Sequence, residues 1–337
     1  MNSIITLGEY TEYWYKTYKL PKHAKSTTEV ALNHIHTHIQ PSELGLMKLT
    51  EVRTQDIQKF LTELLLYGNK CKLKNMITYG NPLSHWTVQK IRQLLISAFT
   101  QAMREGIILR NHAIETEPIP IPFKNSSAFS IEHQREFLQA THNHRFYVAY
   151  VLLFYTGCRR SEILGLSWNN INWKDSSIII NQTLVIENNE PVLKKRTKTM
   201  RSLRSIPIPL DIKKLLHDWQ RQQKTERRKM PEWNNPENLI FVNKDGSVYN
   251  PKYFSRNFKA MIKKLGFPST LHLHSTRHTW ATNMIQFGIP ITDVQALGGW
   301  SRPDVLLNIY AHTVQKSHKK AINKLYKNLN IVSKNND

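Results

Sequence analysis

Residues 115–127 read ETEPIPIPFKNSS, and no other stretch limits the fold of this chain as strongly. Pro118, Pro120 and Pro122 alternate with apolar residues. Each proline fixes its own φ, removes a backbone donor and pushes the residue before it out of the helical region. Three in alternation make an extended, semi-rigid connector rather than a helix. The chain is therefore expected to divide there, into a domain over residues 1–114, a linker over 115–127, a second domain over 128–325 and a tail over 326–337. Two domains also suit a chain of 337 residues, since each half is long enough to bury a core of its own.

The two halves differ in periodicity. Before the linker, LGEYTEYWYKTY, STTEVALNHIHTHI, TQDIQKFLTELLLY and SHWTVQKIRQLLISAFTQAMREG all carry helical spacing, which predicts a compact four-helix unit. Ser26, Thr54 and Ser84 stand where helix N-caps belong, and Gly106 closes the last helix. The intervening NKCKLKNMITYGNP reads as a basic loop. After the linker, residues 130–168 read as three helices. SSIIINQTLVIE and RSIPIP, rich in β-branched residues, then predict a small sheet of about three strands. From Leu210 onward the pattern is again mostly helical. The fold class expected is mainly α with a small antiparallel β-sheet, an α+β second domain behind a helical first one.

Charge narrows the partner. Lys and Arg number 47 against 25 Asp and Glu, a formal net charge of +22. Hydrophobic residues still make up 40% of the chain, so the excess charge belongs to a globular protein and implies a polyanion. A basic but merely solvated surface is the plainer alternative. Two cysteines, Cys71 and Cys158, exclude a disulfide framework and fit a reducing cytoplasm. No stretch approaches the length of a membrane span, and the N-terminus lacks a signal-peptide pattern. No membrane partner is expected.

Four segments after the linker carry candidate chemistry. In TGCRRSEILGL, Arg159 lies between apolar runs, so its stem is expected to be partly buried and its guanidinium to need an anion. Glu162, one helical turn on, is one candidate anion, and a phosphate bound by the planar fork is the other. KKRTKTMRSLR places six cations, Lys194, Lys195, Arg196, Lys198, Arg201 and Arg204, where two strands should be joined. Most of them read as a solvated, phosphate-tracking face, and one lysine has the chemistry of a general acid. LHLHSTRHTWAT brings together His272, His274, Arg277 and His278. Carboxylate and cysteine ligands are lacking nearby and the arginine would repel a cation, so a proton acceptor beside a second phosphate clamp is favoured over zinc. HIHTHI, with His34 and His38 one turn apart, reads as packing and surface polarity. In LGGWSRPDVLLNIYAHT, Gly298 and Gly299 end a helix. Ser301, Pro303 and Asp304 resemble the start of another, and Tyr310 shares an apolar face with Leu306 and Ile309. Packing and reaction are both open to that tyrosine.

Taken together and in this order, the four segments resemble the tyrosine recombinase family, the phage and transposon integrases. The resemblance covers nearly the whole chain, because the helical first half is similar to the family's SAM-like core-binding domain and the second half to its catalytic domain. It implies a site-specific DNA recombinase that cleaves and rejoins duplex DNA through a 3′-phosphotyrosyl intermediate, with no cofactor and no metal. Carried onto this sequence, it makes Arg159 and Arg277 phosphate clamps and Lys198 the general acid. His274 assists proton transfer, Tyr310 is the nucleophile and Glu162 braces the site. Arg160 matches no position of the family's set. Lys194, Lys195, Arg196, Arg201 and Arg204 are left as DNA-binding cations of the hairpin. Trp300 falls where the family has histidine or tryptophan; its indole N–H can donate to a phosphate oxygen but cannot transfer a proton.

The resemblance further implies double-stranded DNA and a homo-tetramer on synapsed sites as partners. It leaves room for a directionality factor or a host DNA-bending protein. A cytoplasmic, nucleoid-associated protein is expected. The final stretch VQKSHKKAINKLYKNLNIV has helical apolar spacing suited to docking in cis or on a neighbouring protomer. The helical unit starts within a few residues of Met1, so the small arm-binding domain of many integrases is expected to be absent or truncated. A type IB topoisomerase and a DNA-binding regulator with a decayed site are the alternative functions.

Overall fold

The structure is a computed structural model, and it describes residues 5–68, 80–122, 128–188, 190–195, 203–304 and 306–307. Lys198, Arg196, Arg201 and Tyr310, together with the final helical stretch, lie outside the described residues. Two compact units meet in sequence between residues 124 and 125.

The first unit is helical: α1 Leu7–Trp14, α2 Lys25–His34, a short α3 Glu43–Leu46, α4 Thr54–Tyr67 and α5 His85–Arg104. Thr6 opens α1 with a capping box closed by Glu9, so the start of the helix is fixed by two reciprocal hydrogen bonds. Beyond α1 and α2 the backbone continues for one wider turn each, over Tyr15–Lys19 and Ile35–Ile39. Ser84 caps α5 as expected, accepting from the Thr87 N–H, and Gly106 takes a left-handed φ of 71° just past its end. The other two expected caps shift. The second helix starts behind Ala24, not Ser26, and Arg53 precedes the fourth while the Thr54 hydroxyl donates to Glu115 instead. Leu7, Tyr10, Trp14, Ile35, Ile57, Leu61, Ile91, Leu95 and Phe99 form the core, recurring at helical spacing on every long helix. His38 is buried against this core and His36 meets Glu12, so the HIHTHI histidines serve packing and surface pairing.

The second unit holds α6 Ile131–Ala140, α7 Tyr147–Thr156 and α8 Arg160–Leu164, then five strands, β1 Ile171–Asn172, β2 Ser177–Ile180, β3 Gln182–Glu187, β4 Glu190–Lys195 and β5 Arg204–Pro207. Four helices follow among the described residues: α9 Leu210–Lys229, α10 Pro251–Lys264, α11 Leu273–Gln286 and α12 Ile291–Gly298. The single sheet expected here is instead two antiparallel sheets, one ordered β1-β2-β5 and the other a β3-β4 hairpin. The break falls at Asn181. Its side chain accepts from Asn170, and the next residue, Gln182, donates to the Gly165 carbonyl, turning the chain toward α8.

Phe129 and Phe137 pack edge-on or tilted against Tyr150 and Phe154 of α7 and Phe258 of α10, Phe254 of α10 is tilted against Tyr150, and Ile178, Ile180 and Ile206 close the core from the three-stranded sheet. A smaller cluster joins Trp280, Ala281 and Ile285 of α11 to Val294 and Leu306, with Trp300 against it. Leu306 is fully buried, which anchors the start of the segment leading to Tyr310. No described helix is long and apolar enough to cross a membrane.

Candidate active site

The site forms where four chain turns meet. Helix α7 ends at Gly157, whose φ of 61° is left-handed, and a Cβ there would lie 2.6 Å from the Trp280 ring. Glycine is required on both counts. Arg159 follows in extended conformation at the N-cap of α8, and its backbone N–H donates to Glu162 Oε2 at 2.8 Å. Its Nη1 donates to Glu162 Oε1 at 3.1 Å, yet the side chain stays 38% exposed. The two candidate anions of the sequence are therefore not exclusive: Glu162 takes Nη1 and the Gly299 carbonyl takes Nη2 at 3.4 Å, yet the guanidinium keeps an exposed face.

Arg204 does not belong to a solvated hairpin face. Its side chain is 6% exposed, and its Nη2 donates to Glu162 Oε2 at 2.8 Å. Its Nε donates to the Leu297 carbonyl at 2.7 Å, and Nη2 also reaches Cys158 Sγ at 3.4 Å. The expectation that Arg204 binds DNA is thus corrected. On β5 the burial alternates, with Arg204 and Ile206 inward and Ser205 and Pro207 outward. That period of two, readable from RSIP, was the signal that set Arg204 apart from the charge run before it. Lys194 and Lys195 are exposed near the end of β4, and Lys194 pairs with Glu187.

Glu162 is wholly buried. Burial alone would raise its pKa, but the Arg204 hydrogen bond and charge, followed by the Arg159 N–H and charge, hold it down at about 2. Removing one partner of such a buried pair costs about 3–5 kcal/mol, because the other charge is left unpaired. Glu162→Gln is accordingly expected to lower the unfolding free energy by about that much at pH 7. A carboxylate with a depressed folded pKa stabilises above its unfolded pKa and loses that stabilisation as pH falls through the folded value. The gap between wild type and variant should therefore stay constant from pH 8 to about 5 and start to close only below about 4.5, near the unfolded carboxylate value. Urea unfolding across that range measures it; a gap that shrinks between pH 7 and 5 would assign the stabilisation to another group.

Arg277, on α11, is 2% exposed. Its Nη1 donates to the Gly157 and Gly298 carbonyls, both at 2.7 Å, and its guanidinium carbon lies 3.5 Å above the Trp300 ring centre. Trp300 in turn stacks on Trp280, with 6.1 Å between ring centres. Gly298 and Gly299 make this stack possible: a Cβ on Gly298 would lie 1.8 Å from the edge of the Trp300 ring, and Gly299 has a φ of 69°. Trp300 thus lies flat between the Arg277 guanidinium and the Trp280 ring. Trp280 is the residue that sequence reasoning missed, although an aromatic one turn beyond Arg277 could have pointed to it. Arg277 Nη2 is buried with no hydrogen-bond partner among the described residues. Burial, followed by repulsion from Arg159, disfavours its charged form. An anion beside it would relieve both.

His274 lies one turn before Arg277 and meets His278 edge-on at 4.8 Å. Burial first, then electrostatic interaction with His278, Arg277, His272 and Arg159, pushes its pKa down to about 4. It is therefore neutral at pH 7 and able to accept a proton. Arg159, His274 and Arg277 line one open cavity of about 430 Å³ together with Arg160, Lys259 and His272. Arg160 donates to Ser255 at 2.7 Å on its rim. Among the described residues no group of histidine, cysteine or carboxylate side chains could hold a metal ion.

Three guanidiniums, of Arg159, Arg160 and Arg277, and a neutral imidazole line this cavity, with the buried Glu162 carboxylate behind Arg159, a set of donors whose chemistry suits a phosphate. The comparisons give the chain a family. The model described as the phage integrase family matches residues 129–317, and that of the phage integrase N-terminal SAM-like domain matches 6–65. The chain belongs to the phage integrase family and is a tyrosine-type site-specific recombinase. A tyrosine recombinase XerC-like protein of Caldanaerobacter subterraneus subsp. tengcongensis is 25% identical over 339 residues, covering 95% of this chain and 83% of the relative. The ICEBs1 integrase of Bacillus subtilis is 22% identical over 307 residues, with 90% and 77% covered. The fold is that of the Tn1549 transposon integrase solved with a circular intermediate DNA, at a TM-score of 0.79 and 18% identity over 95% of this chain and 99% of that one. It is also that of a lambda integrase tetramer bound to a Holliday junction, at a TM-score of 0.67 and 17% identity over 91% and 78%.

Proposed function

We propose that this recombinase integrates and excises a phage or mobile element by cutting DNA through a 3′-phosphotyrosyl intermediate, using its own cations. The observation that carries the reading is the buried Nη2 of Arg277, which has no partner among the described residues, in the same cavity wall as Arg159 and the neutral His274. The two arginines clamp the scissile phosphodiester and balance the extra charge of the five-coordinate transition state, the work that metal ions do at other phosphoryl-transfer sites. Tyr310 supplies the nucleophile. A phenol has a pKa near 10 and is a poor nucleophile until cations and an acceptor favour its anion.

In the step proposed, the Tyr310 oxygen bonds to phosphorus as its proton leaves toward His274. The bond to the 5′ oxygen breaks, and that oxygen takes a proton from Lys198. One phosphodiester replaces another, so a 5′ hydroxyl from a second strand reverses the step without ATP. Lys194, Lys195, Arg196 and Arg201 track phosphates, and binding falls steeply with salt. The partner is double-stranded DNA. The lambda integrase solved as a tetramer on a Holliday junction supports tetrameric action on two sites, with a directionality factor or host DNA-bending protein as further partners.

A supercoiled plasmid carrying two copies of the DNA flanking the protein's own gene tests this. Recombinant circles are expected, at equal yield with and without a metal chelator. Relaxed plasmid alone would identify a topoisomerase, and site-specific binding without any strand cleavage a regulator.

A further inference from the structure

Arg204 is the buried titratable group that the proposed reaction does not use. It sits at the start of β5, six positions after Lys198 in the chain, and its fork is divided among three segments. Glu162 of α8 receives Nη2 at 2.8 Å and Nη1 at 3.3 Å, the Leu297 carbonyl at the end of α12 receives Nε, and Cys158 lies against Nη2. The end of α12 rests directly on it, because a Cβ added at Gly299 would come within 2.8 Å of Arg204 Nη1.

The same two carboxylate oxygens also serve Arg159. Oε2 takes the Arg159 backbone N–H and Oε1 takes its Nη1. Glu162 is thus shared between an arginine that faces the cavity and one that does not: the Arg159 side chain is 38% exposed and that of Arg204 is 6% exposed. In a buried setting the attraction between opposite charges is much stronger than in water. Had Arg159 faced this carboxylate alone, the pair would be close to neutral, and a DNA phosphate would compete with Glu162 for the same guanidinium.

We propose that Arg204 is a positioning residue that takes up the charge of Glu162, so that the carboxylate orients Arg159 without neutralising it toward the scissile phosphate. The inference rests on Arg159 being a phosphate clamp, as in the function proposed above. Arg204 touches no DNA in this account. Its influence on strand cleavage passes through Glu162.

The test uses full-length protein on a nicked suicide duplex made from the DNA flanking its gene, and reads the rate of covalent adduct formation, the DNA affinity and the salt slope of binding. Arg204→Met keeps the volume and removes the charge. Its cleavage is expected to be slower by about 10–100-fold, the scale of a misplaced reacting group, with affinity and salt slope unchanged. Adding Glu162→Gln removes the competing charge while keeping an acceptor for the Arg159 N–H, and the double variant is expected to recover to within about tenfold of wild type. That recovery is what a purely architectural arginine would not show.

An Arg204→Met rate equal to wild type overturns the proposal, as does a salt slope reduced by about one, the mark of a lost phosphate contact. A double variant no faster than the single one also overturns it. If Arg204→Met does not fold, the double variant is read alone, since both buried charges are then gone. Cleavage near the wild-type rate supports the proposal, whereas a folded but inactive or an unfolded double variant overturns it. Wild-type protein that forms no adduct would sink the clamp reading itself, a result separable from all of these.

Discussion

Replacing Tyr310 by phenylalanine is expected to abolish covalent protein–DNA adducts while leaving DNA affinity within about twofold. The variant keeps the ring and loses one oxygen. Leu306, four positions earlier, is buried with Trp280 and Val294. Affinity comes mainly from phosphate contacts by a chain with a formal net charge of +22, and the phenol adds nothing to it. The reaction has no substitute nucleophile in this account. Cys158 lines the cavity, but burial pushes its thiol pKa up, so it is not the thiolate a nucleophile would require. Adduct formation by a nicked suicide duplex is the measurement, and adducts surviving the substitution would contradict the assignment.

Arg277→Gln is expected to slow cleavage by about 10²–10³-fold, the usual loss when one preorganised donor is taken from a developing negative charge. Its effect on stability should be small. A buried residue normally costs several kcal/mol to replace, but this one has a donor without a partner and is repelled by Arg159. Glutamine sheds the unfavourable charge and can still donate to the Gly157 or Gly298 carbonyl, which roughly offsets the lost stacking on Trp300. Single-turnover cleavage and thermal unfolding, measured on one preparation, separate the two effects. A melting temperature within a few degrees of wild type and a rate down by at least about a hundredfold agree with the account. A rate that falls only as far as the folded fraction falls would make Arg277 a framework residue.

Much of this site could be read from the chain because its signals are local. Arg159 and Glu162 are three residues apart at a helix start, a spacing that brings a carboxylate back to an N-cap, and two consecutive glycines before Trp300 announce the end of α12. The helical first half was legible for the same reason: its apolar stripes repeat within each segment. What escaped depends on contacts between distant segments. The runs SSIIINQTLVIE and RSIPIP read as one small sheet because their β-branched residues suit strands equally, and only the side chains of Asn181 and Gln182, bonded to residues 170 and 165, divide the first run between two sheets. Arg204 was hidden by its neighbours. Six cations among the eleven residues 194–204 suggest water, while the partner that buries this one, Glu162, lies 42 positions earlier. The Arg277–Trp300–Trp280 stack likewise joins two helices that sequence shows separately.

The central claim is that Tyr310 takes the DNA 3′ phosphate onto its own oxygen. Adducts formed by the wild-type protein in a metal chelator, digested with nuclease and protease and sequenced by mass spectrometry, test it most directly. The account predicts a single peptide containing Tyr310 and carrying a 3′-linked nucleotide on that side chain. A nucleotide attached to any other residue, or linked through its 5′ phosphate, would contradict it.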